Sequence, residues 1–155
     1  MSALSAGRVI LGFIIAPLVA ALLLAALVPL YAGLHSLPER IFRTLPLYLV
    51  VGGYVPTIIF GIPAYFLLRK RLRPTAVNCA LIGAAVAIAP WFILRLVTPL
   101  PNEAFSGGHV TVLHQYYTFW GWLDLATNVG YLFLLGAFAG FVFWFVAAFR
   151  PNKKR

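Results

Sequence analysis

The chain has 155 residues, 63% of them hydrophobic and 10% charged, with a net charge of +9. Soluble domains are roughly half apolar and a quarter charged, so this composition excludes an ordinary aqueous domain. The basic residues abut apolar runs instead of covering a polar face, which excludes a nucleic-acid surface, and the single cysteine, Cys79, excludes an intramolecular disulfide.

Four apolar runs, Val9–Leu30, Leu45–Leu68, Thr75–Val97 and Leu125–Phe149, fill most of the chain. Each approaches or exceeds the roughly 20 residues that a helix needs to cross a hydrocarbon layer about 30 Å thick. The sequence therefore predicts an all-α membrane protein: one domain, a bundle of four transmembrane helices. Its approximate spans are 9–31, 45–68, 75–97 and 125–149, with outer loops 32–44 and 98–124 and a cytoplasmic turn 69–74.

The first run follows Arg8 and exceeds the roughly 7–15 apolar residues of a signal-peptide core, so it reads as an uncleaved span. Pro17 can kink it and Pro29 helps to end it. Gly12, Ala16 and Ala20 recur every four residues on one face. Such small-residue stripes let helix backbones approach closely in lipid. In the first outer loop Glu39 and Arg43 would face each other if the segment were helical; the simpler expectation is a solvated turn.

The second run is the least regular, interrupted by Gly52, Gly53, Pro56, Gly61 and Pro63. Gly/Pro-broken spans mark midplane binding sites in some transporters. No convincing internal repeat accompanies this one, so the preferred reading is a kinked, closely packed helix. A short basic turn makes the second and third spans antiparallel neighbours, with Pro74 expected in the first turn of the third. Ala76, Ala80, Gly83 and Ala87 form a second small-residue seam there, with Asn78 and Cys79 expected on roughly the opposite side.

The second outer loop begins with a proline-rich turn and continues through Ser106, Gly107 and Gly108. His109–Tyr117 carries β-branched residues and some alternation, compatible with a short strand. The aromatic cluster that follows, Tyr116 to Trp122, suits an interfacial belt. Residues 118–149 are too many for one straight crossing, so the first part is expected to lie along the interface. The fourth span contains Gly136-x-x-x-Gly140, a helix-dimerisation signature, and a polar stripe of Asp124, Thr127, Asn128 and Tyr131 on nearly the opposite face.

Juxtamembrane Lys and Arg stay on the cytoplasmic side. Four crossings put Arg8, the turn residues Arg69, Lys70, Arg71 and Arg73, and the tail residues Arg150, Lys153, Lys154 and Arg155 together, so both termini are expected in the cytoplasm, at an inner membrane. These clusters would also contact anionic headgroups. Arg95 and Asp124 approach the same outer boundary, and a contact between them, extended by Asn128, is the candidate polar cluster. His35, His109 and His114 are weak metal-ligand candidates; their spacing is not that of a helical pair, so no metal and no cofactor are expected.

No nucleophile elbow, HExxH, P-loop or dinucleotide fingerprint is present. Four-helix disulfide-forming oxidoreductases need paired cysteines, and small four-helix multidrug exporters need an acid in the first span; both are missing. The expectation is a non-catalytic protein acting by helix–helix interaction with another membrane protein or itself: an accessory subunit, assembly factor or immunity-type protein. The alternative is a small channel or transporter near the broken second span and Arg95/Asp124. A third reading is an intramembrane cofactor- or metal-binding protein or enzyme.

Overall fold

A computed structural model describes residues 6–30 and 36–147. Among them are four helices long and apolar enough to cross a membrane: α1 (Ala6–Leu27), α2 (Leu37–Leu68), α3 (Ala76–Val97) and α4 (Phe119–Ala147). His35 and the tail residues Arg150, Lys153, Lys154 and Arg155 lie outside the described residues.

α1 continues through Pro17 and stops two residues before Pro29. α3 starts behind Thr75, whose side chain accepts from the Asn78 amide at 3.2 Å. That bond satisfies one of the amides a helix start leaves open. Pro74 thus precedes the cap and is not in the first turn, as the sequence had suggested.

α2 is longer and stranger than its apolar run. The segment expected as loop 32–44 is helical from Leu37, with proline in the first turn, where its missing amide costs nothing. Glu39 and Arg43 pair across one turn at 3.2 Å, both substantially exposed, so the pair adds little stability. Beyond Leu47 the helix widens: Tyr48–Tyr54 and Thr57–Gly61 are π-helical, and Ile62–Leu68 returns to α. Pro46, Pro56 and Pro63 bracket the two wide segments. Each proline lacks an amide hydrogen and crowds the carbonyl four residues back. Bonds spaced by five residues, Val55 to Val50 and Ile62 to Thr57, relieve that conflict. The expected kink is a widening.

α4 is unbroken from Phe119, so no separate interfacial segment precedes it. Thr118 fixes the start, its hydroxyl oxygen accepting from the Gly121 amide at 3.2 Å. With 22 residues each in α1 and α3 and 29 in α4, the lengths are about 33 Å and about 43 Å. Arg8 Nε donates to the Val146 carbonyl at 3.1 Å, which levels the start of α1 with the end of α4. Relative to α1, the extra ~10 Å of α4 therefore projects at the other end.

A three-stranded antiparallel sheet sits on that projection, so the fold is not purely helical. It comprises β1 (Glu103–Ser106), β2 (His109–Leu113) and β3 (Tyr116–Tyr117), in the order β1-β2-β3. Both turns are two residues long with left-handed backbone: Gly107 and Gly108 at φ 57° and 80°, His114 and Gln115 at φ 51° and 66°. Two consecutive positive φ values match the twist of tight hairpins. The sheet rests on α4 at Gly121, where a Cβ would run into the Thr111 carbonyl.

Packing is uneven. α4 lies against α3 and α1, whereas α2 leans on α1 mainly through Tyr48–Tyr54 and touches α3 through Thr57–Gly61. The core is mostly alanine: Ala16, Ala20, Ala21, Ala25, Ala84 and Ala147 are buried, while Leu81, Leu94 and Leu134 point outward. Small residues inside and large ones outside is the arrangement lipid favours, because hydrocarbon solvates leucine as well as a protein core does.

Candidate functional site

The glycines of the small-residue seams face other helices of the same chain. A Cβ on Gly83 or Gly140 would strike backbone of the facing helix, Gly136 for the first and Cys79 for the second. A Cβ on Gly136 would lie 2.6 Å from Ala87 Cβ and 2.9 Å from Ala84 Cα, and one on Gly140 3.0 Å from Ala80 Cα. The Gly136/Gly140 signature thus joins α4 to α3 of the same chain. Cys79 belongs to this seam, four residues before Gly83, and not to the opposite side; Ala84, almost fully buried, was also missed. Ala76 lies half-buried at the start of α3. On α1, Gly12 faces Phe143 of α4, and Ala16 and Ala20 are buried.

Arg95 and Asp124 do not pair. Asp124 accepts from Ser106 Oγ at 3.3 Å and from Asn128 Nδ2 at 3.1 Å. The Arg95 guanidinium lies over the Trp91 ring, 5.3 Å from its centroid, a cation–π contact. The reason is facing and not height: Trp122 and Leu125 line a cavity with Arg95, whereas Asp124 turns toward Ser106. Thr127 and Asn128 bond back to the carbonyls of Leu123 and Asp124 at 2.8 and 2.9 Å. With Tyr131, they present an exposed polar face. Arg95 instead lines a cavity of about 360 Å³ with Trp91, Phe92, Leu96, Tyr117 and Trp122 among its walls.

His109 stacks on Trp120, ring centroids 4.0 Å apart and nearly parallel. His114 occupies the other end of β2, in the second tight turn. Strand geometry separates positions five apart by about 17 Å, so the two imidazoles cannot share an ion. Among the described residues no group of three His, Cys, Asp or Glu side chains is gathered.

A cavity of about 470 Å³ lies beside α2 and opens at the basic turn. Its existence follows from the breakers. Gly52, Gly53, Pro56 and Gly61 line one wall with almost no side chain, and a Cβ on Gly52 would meet nothing within 4 Å. Gly53 abuts Pro17, and the Tyr54 hydroxyl donates to the Ile14 carbonyl at 3.3 Å. That carbonyl neighbours the Phe13 carbonyl, which Pro17 leaves without its helical amide. Opposite stand Ile82, Val86 and Ala87 of α3 and Leu135 and Ala139 of α4. Phe13, Tyr65 and Phe143 form an aromatic trio toward the basic end, with centroid separations of 4.9 to 6.2 Å. At the mouth are Arg69, Lys70, Arg73 and Asn78; Arg71 is not among the lining residues. Sequence reading named the breakers and the cations separately, but only the fold sets them around one space.

These features define a multi-pass helical membrane protein with a cap of β-structure at one end and a ligand-sized cavity at the other. Comparison with protein-family models, with curated proteins and with solved structures gave no match.

Proposed function

We propose that this protein binds a ligand within the bilayer, in the cavity between the widened α2 and the α3–α4 pair, and works as a small carrier. The observation that carries the reading is that cavity: its volume of about 470 Å³ falls in the roughly 300–1,000 Å³ range of small-molecule sites. It coincides with the Gly/Pro-broken span that transporter architecture singles out. Ala87, on the large cavity, and Trp91, on the outer one, are one helical turn or about 6 Å apart on α3. A solute crossing the bundle would pass this constriction. In the proposed orientation the basic end and both termini face the cytosol across an inner membrane, because cationic flanks resist translocation. Reporter fusions to the Arg69–Arg73 turn and to the sheet test it by giving opposite locations.

A second reading is helix–helix interaction, with the protein serving as an accessory subunit, assembly factor or immunity-type protein. The observation in its favour is that, from Tyr48 to Leu68, α2 buries Pro56 alone. Against it, the glycine seams are already occupied inside the bundle. Native mass spectrometry of wild type and Gly52→Phe, released from detergent, separates the readings. The carrier reading expects a small-molecule adduct on the monomer that the phenylalanine removes. A dimer or an attached polypeptide without such an adduct gives the field to the second reading.

A further inference from the structure

We infer that the ligand of this cavity is a lipid with a net anionic phosphate head, drawn from the leaflet at the basic end, an inference that rests on the cavity reading above. The space has two chemistries in sequence. Its mouth carries Arg69, Lys70 and Arg73, with the Asn78 side-chain amide donating to the Arg73 carbonyl at 2.9 Å, while its depth is walled by glycine, alanine, proline and aromatic rings. No carboxylate lines it, and the chain's three acids, Glu39, Glu103 and Asp124, belong to the segments at the opposite end. The cations at the mouth are therefore not neutralised by this protein's own acids. Guanidinium forks match phosphate oxygens in pairs, and an ammonium adds a point charge. Inorganic phosphate would satisfy the mouth and leave the apolar depth empty; an uncharged hydrocarbon would do the reverse. One molecule with an anionic phosphate head and a hydrocarbon tail satisfies both. The way in is lateral: α2 lies on α1, touches α3 over Thr57–Gly61 and hardly meets α4, leaving a gap open to the acyl chains.

The test is native mass spectrometry of the full chain from nanodiscs of phosphatidylglycerol mixed equally with phosphatidylcholine. Folding of each variant is checked by circular dichroism and size exclusion. The expected result is one phosphatidylglycerol retained per chain in preference to phosphatidylcholine. Neutralising Arg69→Gln, Lys70→Gln and Arg73→Gln together should weaken retention about a hundredfold, and each alone about fivefold. Arg71→Gln, in the same turn but off the cavity, and Gly130→Phe, which adds bulk where nothing lies within 4 Å, should leave it unchanged. Equal retention of both lipids, loss with Arg71→Gln as large as with Arg69→Gln, or preference for a fatty acid over phosphatidylglycerol would overturn the assignment of an anionic phosphate head. If inorganic phosphate alone displaces the adduct, the head without the tail is the ligand and the lipid assignment fails. Either result leaves the cavity reading standing provided Gly52→Phe still abolishes binding. A phosphatidylglycerol adduct that survives Gly52→Phe sinks both readings.

Discussion

The α3–α4 pair and the second span spend the same residue in opposite ways. Between α3 and α4, glycine removes side chains so that backbones touch: Gly83, Gly136 and Gly140 leave no room for a Cβ. Along α2, glycine removes side chains and nothing moves in, so Gly52 borders open space. In lipid, where burial of leucine gives no drive to associate, contact between helices rests on packing and hydrogen bonds. The first region has that contact along its length. The second is held on α1 by a few polar anchors: Tyr48 Oη donates to the Val28 carbonyl at 3.0 Å, and the Leu30 amide donates to Thr44 Oγ1 at 3.1 Å. One half of the bundle is closely packed, and the other is anchored mainly near its N-terminal end.

The sharpest way to break this contrast is the same substitution in both halves. Gly140→Leu should destabilise the bundle by about 3 kcal/mol or more, the upper end for overpacking, because its side chain meets the Cys79 backbone. Thermal unfolding in detergent, followed by loss of the monodisperse peak, reads it. Thr44→Val should cost about 1–3 kcal/mol, since fully buried Thr44 is the acceptor for the Leu30 amide and its loss strands that donor. Faster hydrogen exchange at Leu30 is the local signature. Asp124→Asn should change stability by no more than about 0.5 kcal/mol, as expected of an exposed polar contact. A larger loss would mean that Asp124 pairs inside the bundle after all. Gly52→Leu should be the mildest, indistinguishable from wild type in thermal unfolding, because the cavity has room for the side chain. If it unfolds as readily as Gly140→Leu, the two halves are equally packed and the cavity is not open.

Much of the frame was legible in the sequence, because its determinants are local. Length and apolarity fix where a helix crosses, and α3 departs from its predicted bounds by one residue. Spacing by three and four identified Ala80, Gly83 and Ala87. The same arithmetic would have put Cys79 on that face, had Gly83 been taken as its centre. The widening of α2 was not legible: prolines announce that i→i−4 bonds fail, but whether the backbone kinks or changes register depends on what its neighbours supply. Nor was the start of α4 at Phe119, which depends on Thr118 capping the helix while holding β2 through its bonds to Val110 and Thr111, at 2.6 and 3.2 Å. Arg95 and Asp124 were paired by position along the chain. Their true separation comes from rotation about α4: Trp122 and Leu125 border the cavity that Arg95 lines, and Asp124 turns toward Ser106 of β1 instead. The candidate site was legible only as fragments, since a cavity is a property of what several segments leave unfilled.

The bond from Arg8 to the Val146 carbonyl bears on how this protein is made. α1 docks on α4, which is synthesised after it, so the glycine and alanine faces of α1 and α3 stay bare to the acyl chains until α4 has been inserted. Truncated or stalled products would present those unoccupied faces to the insertion and proteolysis machinery. The arrival of α4 is thereby written into the closure of the bundle.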